Sequence, residues 1–554
     1  MSEERLLGYH AYTREHGVNW FLYLLARVIL QPAFLLYLRL SRQGRGNARV
    51  RGPLIVAANH RSFLDPFVIG ASLPWRRPMN YVAKVELFEK RWQAWVLCRV
   101  GAFPIRRGES DEEAMKTARL VLERGGTVCI FPEGTRIRRG SLATPKRGVG
   151  RLALQTGAPV VPVAVLGSEE VRRGWRIRPR KVRVRLGRAI TFPRSESPSP
   201  ALAATVTGRI WPNVGLQWED LGGLPPMRRA AVIGAGSWGT AMAVLLARGG
   251  LEVQLGARTT EQARLIAFER QNSRYLEGVT IPDSVEVKQG SEIELAGLDL
   301  ICLAIPSASL PQGVGAIADR VGDRTALLLL SKGLVAPRGQ LPSEYVGERV
   351  RARAIACLGG PAHSREAVSG SAALVLGSAD PDLRAQLGTV FDEAGLVCER
   401  SDDVIGVEMA GAAKNAAALA AAAAAPHGLN AAGIAAAEVW SECVAYAIHR
   451  GGKLETFTGL AGVGDLTATV LAPESRNRRA GELLAGGRSA EEIRAELGQA
   501  SEALDSVPQI AETIAAAGLR CEAMSGLAAL VQGEIGVEEW LAGLRRSERS
   551  KQAA

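Results

Sequence analysis

Two short stretches of this 554-residue chain carry side chains that could do chemistry. The first, "NHRSFLD" (residues 59 to 65), places His60 and Asp65 five positions apart, directly after the apolar run "PLIVAA". An imidazole can remove a proton from a hydroxyl while a carboxylate fixes its tautomer and stabilises the imidazolium that forms. The same pair could belong to a metal site or be two solvated loop residues, and the spacing alone leaves all three interpretations open.

The second stretch, "VIGAGSWGTA" (residues 232 to 241), places Gly234, Gly236 and Gly239 between a strand-like run and a helical run. That context gives the G-x-G-x-x-G pattern its meaning, because the glycines allow a tight turn and the close approach of a dinucleotide pyrophosphate. Arg258 stands nineteen residues after Gly239, where NAD enzymes place an acid. It favours the 2′-phosphate of NADP, although an arginine stacked on adenine would serve NAD as well.

The elements that must position these residues follow an α/β pattern, in which short apolar runs alternate with helical stretches. We predict a multidomain α/β protein with a Rossmann-type doubly wound parallel sheet and a final all-helical domain. The predicted segments are an apolar membrane-associating helical segment (1–44), a first α/β domain (45–215), a linker (216–227), the Rossmann domain (228–403), the helical domain (404–540) and a flexible tail (541–554).

The charge is divided unevenly along the chain. Residues 1–226 contain 37 Lys+Arg against 17 Asp+Glu, and the remainder contains 31 against 39. A basic first part favours an anionic membrane surface or nucleic acid. The apolar run at residues 18 to 40 favours the membrane surface over nucleic acid. Because Arg27, Gln31 and Pro32 lie in its middle, an interfacial or re-entrant helix pair suits this run better than a simple span. A buried core helix is the alternative. No nucleic-acid recognition motif is present, and we expect no nucleic-acid partner.

The seven cysteines are scattered, without a C-x-x-C pair or a His/Cys cluster. We therefore predict no metal site and no disulfide framework, which suits a reducing cytoplasm. The amino terminus, "MSEERLLGYH", lacks the features of a signal peptide.

Three further stretches follow the first motif in order: "GAFPIRRG" (101 to 108), "FPEGTR" (131 to 136) and "VVPV" (160 to 163). Together with "NHRSFLD" they resemble the motifs of the glycerophospholipid acyltransferase family. The resemblance implies that His60 is a general base oriented by Asp65. It also implies a glycerol-phosphate site formed by Arg107, Glu133, Gly134, Thr135 and Arg136. For Glu133 and Arg136 a mutual ion pair is the alternative.

By the same resemblance, the acyl donor is an acyl-CoA or an acyl-carrier-protein thioester, so that an acyl carrier protein becomes a candidate partner. The acceptor is lysophosphatidate (1-acylglycerol 3-phosphate) or glycerol 3-phosphate itself. The sequence does not choose between these acceptors.

The second half resembles the NAD(P)-dependent glycerol-3-phosphate dehydrogenases through "GAGSWGTA", "AIPS", "SKGL", "DVIGVEMAGAAKN", "GLAGVGDLTAT", "SRNRR" and "GQASE". The resemblance implies that Lys414 is the acid and that Lys332 polarises or positions the substrate. It also implies that Asp465, with Thr469 beside it, holds the network of lysine and hydroxyl groups. It implies that Arg476 and Asn477 bind the substrate phosphate. The implied cofactor contacts are Gly234, Gly236, Ser237, Trp238, Gly239, Arg258, Pro306, Lys332, Arg476 and Glu502. One departure is Gly256, where family members usually have an aromatic residue.

The nearest competitor for this half is a β-hydroxyacid dehydrogenase, but "SRNRR" with "GVGDL" favours a substrate that carries a phosphate. We therefore predict a bifunctional enzyme that interconverts dihydroxyacetone phosphate and glycerol 3-phosphate with NADPH or NADH, and that acylates a glycerol-phosphate hydroxyl. We expect a homodimer at the inner face of the cytoplasmic membrane. The alternative is a membrane-tethered dehydrogenase whose acyltransferase-like part is not catalytic.

Overall fold

The computed structural model describes residues 2–106, 111–473, 475–498 and 501–553, and in the last helix it describes side chains as far as residue 545. The chain forms two compact units, Met1–Pro226 and Met227–Ala554. Each unit has its own sheet and hydrophobic core. The predicted architecture, an α/β domain followed by a Rossmann-type sheet and a helical domain, is confirmed.

The first unit is built on a seven-stranded sheet with the order β1-β9-β6-β2-β5-β3-β4. The pairings are parallel except for β6 with β9. Its strands are β1 (Ser41–Gln43), β2 (Leu54–Ala58), β3 (Asn80–Lys84), β4 (Ala102–Ile105), β5 (Thr127–Ile130), β6 (Val160–Leu166), β7 (Arg172–Arg173), β8 (Arg176–Ile177) and β9 (Arg183–Leu186), of which β7 and β8 form a separate small hairpin. Its helices are α1 (Glu3–His16), α2 (Trp20–Leu36), α3 (Asp65–Ser72), α4 (Arg91–Arg99), α5 (Glu112–Glu123), α6 (Gly148–Thr156) and α7 (Pro200–Asp220).

The central strands β2, β5 and β6 are continuous apolar runs, and β2 is buried at all five positions. Such runs suit parallel strands covered by helices on both faces. Because β2 and β5 pair in parallel, with Ala57 opposite Ile130, the segments that follow them leave the same edge of the sheet. The sheet thereby brings "NHRSFLD" and "FPEGTR" together, although about 70 residues separate them in the sequence.

The apolar amino-terminal segment forms two helices, α1 and α2, which are bent by 91° at their junction. By length and apolar composition this pair could form a broken membrane span or a re-entrant loop, and the helix Leu429–His449 could form a span by itself. Arg27 and Gln31 of α2 are buried. Arg27 donates to the carbonyls of Gly70, Ala71 and Leu73 at 2.9, 3.2 and 3.0 Å, where α3 ends. The guanidinium of Arg27, a charge that argues against a simple span, therefore caps the carboxyl-terminal end of α3.

The opposite face of α2 is apolar and exposed. Phe21 is 73% exposed, Ile29 60% and Leu36 80%. The helix therefore has one face packed on the unit and one apolar face turned outward, whereas a core helix would be buried all round. The last residues of the predicted membrane segment, 41–43, form β1, which pairs with β9.

The second unit begins with an eight-stranded sheet of order β14-β11-β10-β15-β16-β17-β18-β19, in which the β17–β18 pairing is antiparallel and the others are parallel. The strands of the second unit are β10 (Arg229–Ile233), β11 (Glu252–Ala257), β12 (Gln271–Asn272), β13 (Leu276–Thr280), β14 (Val285–Gln289), β15 (Leu300–Leu303), β16 (Ala326–Leu329), β17 (Ala354–Gly359), β18 (Ala373–Gly377) and β19 (Val397–Ser401), of which β12 and β13 form a separate antiparallel pair. Its helices are α8 (Ser237–Arg248), α9 (Thr260–Glu269), α10 (Leu310–Ile317), α11 (Pro342–Gly347), α12 (Ser364–Ser369) and α13 (Pro381–Glu393).

The helical part of the second unit comprises α14 (Val404–Ala424), α15 (Leu429–His449), α16 (Leu454–Thr458), α17 (Asp465–Leu471), α18 (Arg476–Ala485), α19 (Ala490–Leu497), α20 (Glu502–Ala516), α21 (Glu522–Gln532) and α22 (Val537–Ala553). The alanine-rich α14 lies at its centre, and nearly every residue of this helix is buried. Small side chains allow the neighbouring helices to approach closely. At Gly481 of α18, for example, a Cβ would lie only 2.4 Å from the Leu419 carbonyl oxygen.

Two segments differ from their predicted structure. Residues 541–553, predicted to be a flexible tail, continue α22, because Trp540, Leu541 and Leu544 pack into the helical core. Residues 216–220, assigned to the linker, form the last turn of α7, where Trp218 is buried. In both cases apolar side chains at helical spacing outweigh the polar and Gly/Pro residues that suggested an irregular segment.

Candidate active sites

The first site lies at the carboxyl edge of the first sheet, where His60 follows β2 and Asp65 begins α3. Nδ1 of His60 lies 2.9 Å from Oδ2 of Asp65. A carboxylate only accepts hydrogen bonds, so Nδ1 carries the proton and Nε2 is the basic nitrogen. The imidazole is 8% exposed and stacks on Phe131, with the ring centroids 4.2 Å apart. The structure thus brings the two predicted residues together in a dyad geometry.

Asp65 is held by more than the histidine. Its Oδ2 accepts from the backbone N–H groups of Arg61 at 2.6 Å and Ser62 at 2.7 Å, and its Oδ1 accepts from the Ser168 hydroxyl at 2.5 Å. These bonds satisfy a fully buried carboxylate and fix its direction. Ser168 follows β6, and no pattern in the sequence pointed to it.

Glu133 binds the backbone of the first motif. Its carboxylate accepts from His60 N–H at 2.6 Å and Ala143 N–H at 3.0 Å, and it is buried. Burial raises the pKa of Glu133 to about 7, although both hydrogen bonds act in the opposite direction. Both carboxylate oxygens of Glu133 thus accept from backbone N–H groups, and no ion pair between Glu133 and Arg136 is found among the described residues. Glu133 instead joins the loops after β2 and β5.

The other predicted acceptor-site residues lie close to Glu133 in sequence. Gly134 has φ +70°, in the left-handed region that favours glycine. Thr135 and Arg136 are exposed beside this turn. Arg107 lies outside the described residues.

The second site begins at the turn after β10. Gly234 has φ +110°, and a Cβ at Gly239 would lie 1.8 Å from the Gly234 carbonyl oxygen, so both positions require glycine. A Cβ at Gly236 would meet nothing within 4 Å. The turn lies between neighbouring strands β11 and β15, where the strand order reverses, and it leads into α8. A tight turn, open space and a helix amino terminus are what a dinucleotide pyrophosphate needs, so the site fits NAD(P).

The remaining predicted cofactor residues are distributed around this sheet edge. Ser237 Oγ lies 2.5 Å from Ser364 Oγ, and Trp238 is half-buried against the core. Arg258 is exposed after β11, and its backbone N–H donates to Gln262 at 3.2 Å. At Gly256 a Cβ would lie 2.9 Å from Ile293 Cδ1. Packing against Ile293 therefore occupies the space that a side chain at this position would need.

Glu502 joins the two loops that follow β15 and β16. Its carboxylate accepts from Ser307 N–H, next to Pro306, at 3.1 Å, and from Lys332 N–H at 3.1 Å. Burial raises the pKa of Glu502, while the charge of Arg476 acts in the opposite direction. Arg476 is the first residue of α18 and is exposed, as a residue that meets a ligand phosphate should be.

Within the same unit, two lysines share one carboxylate. Lys332 Nζ lies 2.8 Å from Asp465 Oδ2, and Lys414 Nζ lies 3.1 Å from Asp465 Oδ1 and 2.8 Å from Thr469 Oγ1. Burial lowers the pKa of Lys414 to about 8, although Asp465 opposes this shift. Burial by itself would raise the pKa of Asp465, but the two ammonium groups lower it. The arrangement is suited to proton transfer near neutral pH.

A chain of amide and hydroxyl groups, only partly anticipated from the sequence, supports this cluster. Asn415 donates to the Lys332 carbonyl at 3.0 Å, Asn477 donates to Asn415 Oδ1 at 2.7 Å, and Ser501 donates to Asn477 Oδ1 at 3.0 Å. Asn477 was predicted, whereas Asn415 and Ser501 were missed. Asn415 lies next to Lys414 in "AAKN", and that adjacency was the available signal.

The folds and sites define a chain of two parts, an α/β unit of the acyltransferase type followed by an NAD(P)-dependent dehydrogenase. Three family models match: "Acyltransferase" over residues 39–166, and "NAD-dependent glycerol-3-phosphate dehydrogenase" amino terminus over 229–384 and carboxyl terminus over 403–542. The chain belongs to the NAD(P)-dependent glycerol-3-phosphate dehydrogenase family and carries an acyltransferase domain at its amino-terminal end.

Relatives and a solved structure agree with this assignment. "Glycerol-3-phosphate dehydrogenase [NAD(P)+]" of Chlorobium limicola is 36% identical over 278 residues, which is 49% of this chain and 84% of the relative. The Deinococcus radiodurans enzyme of that name is 39% identical over 263 residues, 47% of this chain and 78% of the relative. The crystal structure of glycerol-3-phosphate dehydrogenase from Coxiella burnetii has a TM-score of 0.53 and 27% identity, covering 57% of this chain and 98% of that one. The predicted two-part resemblance is confirmed.

Proposed function

We propose that the second unit interconverts dihydroxyacetone phosphate and sn-glycerol 3-phosphate. The observation that carries this proposal is the cluster in which Lys332 and Lys414 share Asp465. A dinucleotide held at the turn after β10 would supply the hydride to the carbonyl carbon, or accept it in the reverse direction. In the reductive direction the ammonium of Lys414 donates a proton to the oxygen that becomes the hydroxyl, and Asp465 and Thr469 hold that ammonium in place.

Arg476 and Asn477 bind the substrate phosphate in this proposal. The guanidinium presents a planar pair of donors to a phosphate, and Asn477 is fixed by Asn415 and Ser501. In the Arg476→Ala variant we expect KM for dihydroxyacetone phosphate to rise about 10- to 100-fold, as for the loss of one charged hydrogen-bonding group. Steady-state kinetics check this, with Arg478→Ala on the same helix as the control. An unchanged KM in Arg476→Ala would contradict the assigned phosphate site.

We propose that the first unit transfers an acyl group from a thioester to a glycerol-phosphate hydroxyl. The His60–Asp65 pair supports this proposal. Nε2 of His60 removes the hydroxyl proton as the hydroxyl oxygen attacks the thioester carbonyl. The C–S bond then breaks, and the imidazolium returns the proton to the departing thiolate. The donor is an acyl-CoA or an acyl carrier protein thioester, and Thr135, Arg136 and Arg107 bind the acceptor phosphate.

The His60→Ala variant of the full chain separates this proposal from the alternative of a non-catalytic docking module. We expect acyl transfer to fall by about 100-fold or more, because a general base is lost, while dehydrogenase activity in the same preparation stays constant. Labelled product from acyl-CoA and from acyl carrier protein donors is measured with both acceptors. If the wild-type chain transfers no acyl group from either donor, the docking module is the better interpretation.

The proposal extends to the cofactor preference, the membrane association and the oligomeric state of the chain. Arg258 supports a preference for NADPH, because an exposed guanidinium after β11 can pair with a 2′-phosphate. The exposed apolar face of α2 and the basic first unit support association with the inner, anionic face of the cytoplasmic membrane. We propose a homodimer in solution, which the resemblance to the dehydrogenases supports.

A further inference from the structure

Arg61 is an arginine buried inside the first motif, and its guanidinium is held by backbone carbonyls and an aromatic ring. It is 1% exposed. Nη1 donates to the Ile137 carbonyl at 2.8 Å, and Nη2 donates to the Gly140 carbonyl at 2.7 Å. A buried guanidinium is tolerated only where its donors are satisfied and its charge is compensated. The two carbonyls and the face of the Trp218 ring contribute to this compensation.

The loop that Arg61 holds, residues 137–141, is the direct continuation of "FPEGTR". Its first residue, Ile137, also donates its N–H to the His60 carbonyl at 2.8 Å. Two positions beyond the loop, Ala143 N–H donates to Glu133. Thr135 and Arg136, the proposed phosphate ligands, are therefore placed by a loop that is attached to the backbone around the proposed base. A displacement of this loop would move the acceptor phosphate relative to His60.

Trp218 lies on the other side of the Arg61 guanidinium, with Arg61 Cζ 4.1 Å from the ring centroid. The indole is 3% exposed, and its Nε1–H donates to the Leu224 carbonyl at 3.1 Å. A Cβ at Gly223 would lie 2.1 Å from the ring, so the chain turns tightly against the indole. These contacts fix one orientation of the indole, with its face presented to the cation.

The helix that carries Trp218 is not part of the acyltransferase family match. The family model ends at residue 166, whereas α7 covers Pro200–Asp220. Near its carboxyl-terminal end, Trp218 and Leu221 form a small core with Ala164, against which Leu142 and Leu166 pack. The Ser141 hydroxyl donates to the Pro225 carbonyl at 2.8 Å. The last turn of α7 and the residues after it therefore contact the end of the loop, at Ser141 and the adjacent Leu142.

We propose that Trp218 is a positioning residue for the acyl-acceptor site, acting through Arg61 on the loop at residues 137–141. This inference rests on the proposed acyl transfer. The indole face stabilises the buried guanidinium in the one orientation in which it reaches both loop carbonyls. Without that face the loop loses its fixed position, and with it the acceptor phosphate loses a fixed binding site. The chemistry at His60 is unaffected once the acceptor has bound.

The Trp218→Leu variant of the full chain tests the proposal. We expect KM for the acyl acceptor to rise about tenfold, with a smaller change in kcat, because a desolvated cation–π contact is lost. Trp218→Phe keeps an aromatic face and should restore most of the affinity. Arg61→Lys should raise KM to a similar extent, since one ammonium cannot copy the fork that reaches two carbonyls. Acyl transfer is measured over a range of acceptor concentrations at a saturating donor concentration.

The matched control is Trp211→Leu, which removes a half-buried tryptophan from the same helix, where it packs against a different core cluster. Partial unfolding reduces the amount of active enzyme, so it lowers apparent kcat and leaves KM unchanged. A positioning role raises KM in Trp218→Leu but not in Trp211→Leu.

Equal KM values for the wild type, Trp218→Leu and Arg61→Lys would overturn this inference and leave the proposed acyl transfer standing. An equal rise in KM for Trp211→Leu would also overturn it. If the wild-type chain produces no acylated product at all, the proposed function fails, and this inference fails with it.

Discussion

Lys414 is the proposed acid of the dehydrogenase, and its surroundings should therefore set the pH range of that activity. Burial lowers its pKa to about 8, so the ammonium and the amine are both populated near that pH. Ketone reduction needs the protonated form and alcohol oxidation needs the neutral form. We therefore expect kcat/KM for reduction to fall as the pH rises through about 8, and kcat/KM for oxidation to rise over the same range. Initial rates in both directions, measured from well below to well above that pKa, test this.

Lys414→Arg serves as the control for that pH profile. The guanidinium keeps the charge but does not release its proton in this range, so activity should fall by about 100-fold or more in both directions. The residual rate should no longer show the step near pH 8. An unchanged step in Lys414→Arg would assign the titration to another group.

Arg258 is the residue on which we expect the cofactor preference to depend. An exposed guanidinium after β11 can pair with the 2′-phosphate of NADPH, which NADH lacks. In Arg258→Ala we expect KM for NADPH to rise about 10- to 100-fold, with little change for NADH. Arg264→Ala, an exposed arginine on the neighbouring α9, is the matched control. An equal rise in KM for both cofactors would indicate that Arg258 stacks on the adenine.

Helix α2 has one face buried in the first unit and one apolar face that is exposed. Its buried face holds Arg27 against the end of α3, while Val28 and Ile29 are exposed on the other side at 59% and 60%. We expect the double variant Val28→Asp/Ile29→Asp to bind vesicles containing phosphatidylglycerol about tenfold or more weakly, because two apolar side chains no longer insert. Vesicle sedimentation of the full chain measures the loss.

The control for this experiment is Leu265→Asp/Phe268→Asp, which changes two exposed apolar residues of α9 in the second unit. Vesicle binding by this control should match the wild type, and added salt should weaken the binding of both. Equal binding by the α2 variant and the control would contradict insertion of α2.

Contacts within one element or motif could be predicted from local spacing in the sequence, whereas contacts between distant elements could not. His60 with Asp65, and Gly234 with Gly239, lie within motifs of a few residues, so the sequence places each pair close together. The role of His60 and Asp65 became clear only with the three later motifs of the first unit. Lys414 and Asp465 are 51 positions apart and were paired only through the family resemblance. Ser168 touches Asp65 from 103 positions away through a single hydroxyl, and Trp218 reaches Arg61 from a helix beyond the motifs. No pattern in the sequence marks such contacts, because they arise from tertiary packing.

For the whole molecule, the uneven division of charge indicates how the product of one proposed activity could reach the site of the other. The proposed product of the second unit, glycerol 3-phosphate, is an anion, and residues 1–226 carry 37 basic against 17 acidic residues. A basic surface raises the local concentration of an anionic substrate, and salt screens this attraction beyond about 10 Å at roughly 0.1 M. If glycerol 3-phosphate is the acceptor, it should be acylated soon after it forms on the same chain.

We therefore expect that dihydroxyacetone phosphate, NADPH and an acyl donor together give lysophosphatidate with a shorter lag for the wild-type chain than for a mixture of His60→Ala and Lys414→Met chains. Each variant is used at the wild-type concentration, so the numbers of working sites are equal. The difference in lag should be largest at low ionic strength and should disappear as salt is added, because salt screens the electrostatic attraction that causes it. Equal lags at low salt would show that glycerol 3-phosphate equilibrates with the solution first. Product that forms only when lysophosphatidate is added would identify that molecule as the acceptor.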